Sequence, residues 1–566
     1  MKYYMDRKLH AYISELIFNN GVKLPVAEND IVLFVGPNNV GKSQALEDIY
    51  IKCEKNSSTL VVTDIKTVKE GLLLPFLDAI SKPSDDGSYF YYLVQGRSVN
   101  YHKLSGEQIF RNDYNYNQYR NLFVARLTTE ARLSICNPAE NINRRLAWTN
   151  PIHYAAFDYK YEKWLSENFH KAFGDDLIPN SLNGATIPLC IGKAIQLNGS
   201  YDNETQRQDD YAKILESYKQ VQDQGDGIKS FTGILLYLML DYYCTYLIDE
   251  PESFLHPPQA RIMGQIIGKT LKDNQQAFIS THSEEIIKGL LDVCEERLKI
   301  VRITREGDKN SFSILNKQKI KSAFGDPLLK YSNIMSSLFH KTVVLCESDS
   351  DCKFYSVIEN HLKQAEDKYS ETLFIHSGGK QRMAKIASAL RALNIDVRLI
   401  PDIDVLNDEN IIKGIAEVFG IIWDNIKTDY NTFVSNLHSH KEKIKRTEAR
   451  TEINRIIDAS NNEELTKREI QKIQETVKTI SKWEDVKHGG KHAIPAGNAT
   501  NAFNRIDCEF RKHGIYLVPV GELECFVKEV GGHGPEWVNT VLENYPNMNN
   551  AVYKEVKDFI RGMDIY

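Results

Sequence analysis

Apolar positions in this chain cluster in short runs bounded by glycine, proline or acid. Ile31 to Val35 (IVLFV) is a β-branched run of buried-strand type, broken at once by a Gly-rich turn. Such runs return after Phe231. FTGILLYLML has a helical pattern and leads into a strand ending at Ile248, QQAFISTHS gives a strand and turn, and Leu298 to Ile303 gives a further strand. A second series opens at Thr342 with TVVLC and continues with TLFI (372–375), DVRLI (396–400) and GIYLV (514–518), helical patterns separating the first three. Strands alternating with helices predict parallel sheets with crossovers, so the fold class is α/β, in two units.

Two stretches break this rhythm. Residues from about 60 to 225 are rich in Tyr and Asn (NDYNYNQYRN, Asn112 to Asn121) without a repeat, and read as an insertion over about 60–220. From about 407 to 490 the texture is charged and helical. There Ile470, Ile473, Val477 and Ile480 recur at spacings of three and four, giving one apolar face. A helical hairpin inserted into the second unit fits better than a cationic DNA-binding arm, because Lys and Arg are interleaved with Glu. The domains are set at 1–335 and 336–566.

Bulk properties narrow the class. A chain of 566 residues is too long for one core. With 70 Lys+Arg against 76 Asp+Glu the net charge is -6, so nucleic-acid contact must come from local patches. The N-terminal MKYYMDRKLHAYISELIF has no signal-type apolar region. The most apolar stretch, Ile234 to Ile248, carries Asp241 and is too short to span a bilayer. Nine scattered cysteines include one close pair, Cys346 and Cys352, without partners at zinc-ligand spacing. A cytoplasmic location, with no membrane contact, is expected.

Gly36-Pro37-Asn38-Asn39-Val40-Gly41-Lys42-Ser43 matches G-x-x-x-x-G-K-[ST] directly after a strand. Chance matches to it arise on the order of once per 10⁴ positions or fewer. Its glycines let backbone N–H groups close around phosphate oxygens, Lys42 reaches the β/γ-phosphates of ATP, and Ser43 ligates Mg²⁺. Asp249 and Glu250 end an apolar strand, where the first suits Mg²⁺ coordination and the second can polarise water as a general base. His282 ends a further strand and is placed to hydrogen-bond the γ-phosphate.

This order resembles ABC-type ATPase heads of the SMC and OLD families, whose Walker B strand reads D-E-P-E-x-x-L-H-P-x-x-Q; here Asp249 to Gln259 reads DEPESFLHPPQ. The resemblance implies heads that pair, each ATP being completed by a partner's signature motif. Gly225 to Gly233 (GDGIKSFTG) occupies the signature's place, with Ser230 as the γ-phosphate contact; a plain helix start is the alternative. Gln95 is the candidate Q-loop glutamine.

In the second unit TVVLC is followed by Glu347, and DVRLI by Pro401-Asp402-Ile403-Asp404. Parallel strands bring their C-terminal ends to one edge, so these acids can converge on Mg²⁺ or Mn²⁺, which activate water against a phosphodiester. A D-x-D alone is usually a solvated turn; two strand-end acid groups together are not. This half resembles the TOPRIM domain, and an ABC head followed by TOPRIM is the layout of OLD-family nucleases, including Gabija-type and retron-associated antiphage members. The resemblance implies catalytic or metal-binding roles for Glu347, Asp402 and Asp404, an additional acid at Asp351, a late metal ligand at Glu522 and a phosphate-side lysine at Lys491. It also implies DNA as substrate, a homodimer or larger oligomer through the heads, and a defence-system partner, either protein or a reverse transcriptase–RNA/DNA complex. One departure stands out: Ser348 replaces the glycine common after the first Glu. The rival reading is an ATP-switched sensor or scaffold with an inactive TOPRIM domain that binds nucleic acid or a partner protein.

Overall fold

The structure, a computed structural model, describes residues 9–563 except 56, 81–88, 95–96, 103–105, 113–114, 146–147, 198–202, 241–242, 308, 316–333, 439–444, 460–464, 467–468, 471 and 474–481. Two compact units divide the chain, 1–321 and 322–566. Among the described residues no helix is long and apolar enough to cross a membrane.

The first unit opens with an antiparallel sheet in which β1 (His10–Phe18) lies between β2 (Lys23–Pro25) and β4 (Val62–Glu70). Its main sheet has six strands: β3 (Ile31–Val35), β5 (Val124–Leu127), β6 (Thr245–Asp249), β7 (Gln276–Ser280), β8 (Leu298–Glu306) and β9 (Lys309–Leu315), in the order β9-β8-β3-β7-β6-β5. All neighbours are parallel except β8 and β9. Every residue of β3 and β7 is buried, which is why β3 reads as an unbroken apolar run and β7 as an apolar centre between Gln276 and Ser280. Register places Phe34 beside Ser280 and Ser280 beside Asp249, so the ends of β3, β7 and β6 meet at one edge.

The stretch 60–220 is not one insertion. It contains β4, which pairs with β1, and β5, the edge strand of the main sheet. Its helices include α2 (Thr129–Ser134) and α3 (Tyr159–Phe173). The helix α1 (Lys42–Glu54) follows the P-loop, α4 (Asp226–Met239) precedes β6, and α5 (Pro257–Thr270) and α6 (Glu284–Cys294) flank β7 in sequence. At Gly233 of α4 a Cβ would collide with the backbone carbonyl of Arg132, so glycine is what lets α4 lie flat on α2.

The second unit holds a parallel sheet of β10 (Thr342–Cys346), β11 (Thr372–His376) and β12 (Asp396–Ile400), ordered β11-β10-β12. The segment 514–518 extends it, with Leu399 N–H donating to Gly514 O at 2.9 Å and Tyr516 N–H to Leu399 O at 2.8 Å. The crossovers carry α7 (Asp349–Gln364) and α8 (Met383–Ala392). Within 407–490, α9 (Glu409–Val418) buries Ile412 and Ile415, and α10 (Trp423–His438) packs on α11 (Asn498–Lys512). This part of the stretch belongs to the unit's core. Of the expected apolar face, Ile470 is 43% exposed, a correction, while Val477 and Ile480 lie outside the described residues.

Gly233→Ala should therefore destabilise the first unit. Alanine gains about 1 kcal/mol of helix propensity, but overpacking against fixed backbone costs about 1–3 kcal/mol. Thermal denaturation checks this; a higher melting temperature would contradict the close approach.

Candidate functional site

The P-loop leaves β3 through Gly36, at φ 144°, where any Cβ would collide with the Ile303 carbonyl oxygen on β8. Asn310 of β9 donates to the Val40 carbonyl at 2.8 Å and braces the loop. Lys42 is 5% exposed and its Nζ donates to the carbonyls of Gly36 at 2.9 Å and Pro37 at 2.6 Å. Those carbonyls hold an ammonium where phosphate oxygens would attract it. Burial pulls Lys42 down to about 8, although Glu250, Glu252 and Asp249 oppose this. Ser43 is exposed at the first turn of α1.

At the end of β6, the Asp249 carboxylate accepts from the Ser280 hydroxyl. Glu250 follows at φ 46°, and its N–H donates to Ser280 O at 3.0 Å. Its Oε1 lies 3.4 Å from His282 Nε2, and Oε2 accepts from Ser253 Oγ at 3.2 Å. The His282 hydrogen bond holds this carboxyl below its ordinary range, so Glu250 is a ready anion. Lys42, Asp249, Glu250 and His282 are thus brought together.

Two further residues of this site escaped the sequence reading. Glu252 accepts from Thr281 Oγ1 at 2.9 Å and from the His282 N–H at 2.6 Å, clasping the ends of β6 and β7; burial raises its pKa. Arg132 of α2 is 0% exposed. Its Nη1 donates to the Asp249 carbonyl at 2.5 Å and Nη2 to Thr129 Oγ1 at 3.2 Å, while Nε has no partner among the described residues. An arginine five residues past a four-residue strand carries no motif, so only the fold reveals it. Ser230 is 0% exposed inside α4, not at the surface where a phosphate contact across an interface is expected, whereas the turn from Gly225 to Lys229 is not buried. Gln95 lies outside the described residues.

In the second unit Glu347, Asp402 and Asp404 offer carboxylate oxygens all within 4.8 Å of one another. Glu347 Oε2 is buried without a hydrogen-bond partner among the described residues. Burial, then the neighbouring Asp404, raises Glu347; burial, then Asp351, Glu347 and further acids, raises Asp402 well above the carboxylate range. Asp351 closes a capping box at the start of α7, accepting from the Ser348 N–H at 2.7 Å, and burial raises it too. Ser348 sits at φ -124°, so this turn does not need the missing glycine. Glu522 is 7% exposed and already paired, with His488 Nδ1 at 2.8 Å and Lys487 Nζ at 3.4 Å. The lysine at the acids is Lys380, whose Nζ lies 3.1 Å from Asp404. Lys491 is corrected: it is exposed and lines a separate cleft with Arg511 and Asp558.

A protein-family model for an AAA ATPase domain matches residues 156–287, which contain Asp249, Glu250 and His282. The Old nuclease of Escherichia phage P2 is 22% identical over 325 residues, 56% of this chain and 49% of that protein. Over that span the chain is similar to an OLD nuclease. It spans about half the length of the phage relative. An uncharacterized protein of Methanocaldococcus jannaschii is 39% identical over 69 residues, 12% of this chain and 60% of that protein. Among solved structures, an Smc head bound to the C-winged helix domain of ScpA matches at TM-score 0.31 and 13% identity, over 54% of this chain and 98% of that one.

Two outcomes are expected of the Lys42–Glu250 site. Because Lys42 is pulled to about 8, the free protein loses its phosphate-directed charge as pH rises through that value, and ATP binding then takes up a proton. Affinity should fall by up to about ten-fold per pH unit above it, with proton uptake seen by calorimetry in buffers of different ionisation enthalpy. A flat profile between about pH 7 and pH 9 would contradict the shift. Arg132→Lys keeps a charge but loses the fork that spans Thr129 and Asp249. Lower kcat with unchanged ATP affinity is expected; unchanged kcat would leave Arg132 a packing residue only.

Proposed function

We propose that this chain hydrolyses ATP at the Lys42–Glu250 site of an ATPase domain (1–335) and cuts DNA, with divalent metal, at the Glu347–Asp402–Asp404 site of a TOPRIM domain (336–566). The observation that carries the second half is the carboxylate trio within 4.8 Å, with the buried Glu347 Oε2 lacking a partner among the described residues. Three acids packed so closely repel unless a cation joins them, and an all-oxygen donor set fits Mg²⁺ or Mn²⁺. The bound ion would activate water and stabilise the leaving oxygen of the phosphodiester.

The chain's own residues supply the rest. Glu347, Asp402 and Asp404 would hold the ion, giving up protons that burial now favours on Glu347 and Asp402. Lys380, beside Asp404, can turn to a non-bridging phosphate oxygen. At the first site Lys42 would bind the β/γ-phosphates, Ser43 and Asp249 would hold Mg²⁺, and Glu250 would accept the proton of the attacking water, freed for this when His282 moves to the γ-phosphate. Heads would pair through surfaces that include Gly225 to Lys229, ATP controlling access to the nuclease. A role in antiphage defence extends this reading by family resemblance alone.

One observation favours the sensor reading: the Lys380–Asp404 pair could stand in permanently for a metal. The test measures ATP turnover and plasmid cleavage on the same folded preparations, with Mg²⁺ or Mn²⁺. Glu250→Gln should slow ATP turnover by about 10²–10⁴-fold while retaining bound ATP. Asp402→Asn and Asp404→Asn should abolish cleavage and keep ATP turnover. Cleavage surviving both would move the nuclease elsewhere in the chain, and wild-type protein that cuts no DNA with either metal would leave the sensor.

A further inference from the structure

A cleft of about 560 Å³ in the first unit runs between α3 and α5 and is lined by none of the residues of the sites described above. Lys160, Lys163 and Lys171 of α3 line it, with Lys269 in the last turn of α5 and Lys272 just beyond. Glu167 is the one acid in the lining. Five lysines against one glutamate reverse the balance of a chain with 70 basic and 76 acidic residues. Trp164 and Tyr161 also line the cleft, and Leu238, Met239 and Ile266, all buried, give it an apolar floor.

The pairing recorded for Lys163 and Lys171 is weak, and Lys160 Nζ lies over the Tyr161 ring, 5.8 Å from its centroid. Lys163 and Glu167 are 3.8 Å apart with both side chains more than half exposed, so their interaction is worth little. Lys171 donates to the neutral Asn168 Oδ1 at 2.9 Å. Gathering like charges at one rim is unfavourable unless an anion lies between them. A merely solvated lysine face has no use for two aromatic rings and an apolar floor.

We propose that this cleft binds a single strand of DNA, its phosphates on the lysines and an unstacked base against Trp164 or Tyr161. Cationic rims with aromatic platforms are the general chemistry of sequence-tolerant single-strand binding. A duplex keeps its base faces stacked inside and gives the rings nothing to hold. The proposal rests on DNA as the substrate and adds where, and in which form, the head unit grips it.

Binding of a fluorescein-labelled oligothymidylate to the full chain is followed by anisotropy across a salt series. Combined Lys163→Gln, Lys171→Gln and Lys269→Gln should shrink the slope of log K against log[salt] by about 2, from about 0.7 per lost phosphate contact, and weaken binding about ten-fold or more. Trp164→Leu should weaken it about five-fold or more, while Trp164→Phe keeps the platform. The lysines are exposed, so that variant should melt and bind ATP as wild type does, and it decides the matter if Trp164→Leu misfolds. Unchanged affinity and slope in the folded lysine variant overturn the cleft alone, leaving DNA cleavage to stand or fall separately. Equal lysine-dependent binding of duplex, or of thymidine monophosphate in place of the strand, overturns the single-strand assignment. Wild-type protein that binds no DNA overturns this proposal and the DNA reading together.

Discussion

A carboxylate at the buried end of a parallel strand must be neutralised, and the two units meet this demand differently. Around Asp249, Glu250 and Glu252 the chain supplies its own cations: buried Lys42 and Arg132, with His282 against Glu250. Around Glu347, Asp351, Asp402 and Asp404 the ion pair recorded is with Lys380, and three of these acids are driven toward their protonated forms. The first arrangement is ready for a polyanion. The second is short of positive charge, which an incoming cation would supply. On the proposed reading, ATP and a catalytic metal differ in destination because of this imbalance.

What was legible in the sequence follows the same physics. Buried strands are largely apolar, so β3, β6, β7, β10 and the buried part of β12 announced themselves, together with the acids that end three of them. Gly36 at φ 144° and Gly41 at φ 99° are positions where side chains are strained, so the P-loop is written in residue type. By contrast β5 is a four-residue edge strand, VARL, with a polar residue at its centre, and period alone cannot separate it from a loop. That miss hid Arg132, five residues beyond β5, and made one insertion of 60–220.

Orientation was the other illegible quantity. Ser230 has the right chemistry for a phosphate and stands near the start of a helix, yet four residues of helix turn it fully inward. Lys491 and Lys380 are equal as sequence symbols; only the loop after β11, where the N–H groups of Gly378 and Gly379 donate to the Glu347 carbonyl, brings Lys380 to the acids. Side-chain direction depends on contacts distant in sequence, which residue type does not encode.

Ser348 shows how the turn after β10 forms without glycine. Glycine is required where φ is positive, but here the backbone is extended at φ -124°, and a serine can start α7 through its hydroxyl. The reciprocal half of that capping box is Asp351, whose Oδ2 takes the Ser348 N–H. Asp351 thereby gains a structural task, yet not one that excludes metal ligation. A cap is worth about 1 kcal/mol, and a carboxylate has a second oxygen for other ligands. Bringing a divalent ion to the clustered acids removes repulsion that costs more than one cap, because at an effective dielectric constant of about 20 each close like-charge pair amounts to about 4 kcal/mol at a separation of about 4 Å. Serine at this position is therefore compatible with a working metal centre, since the geometry that glycine provides elsewhere is not needed in this turn.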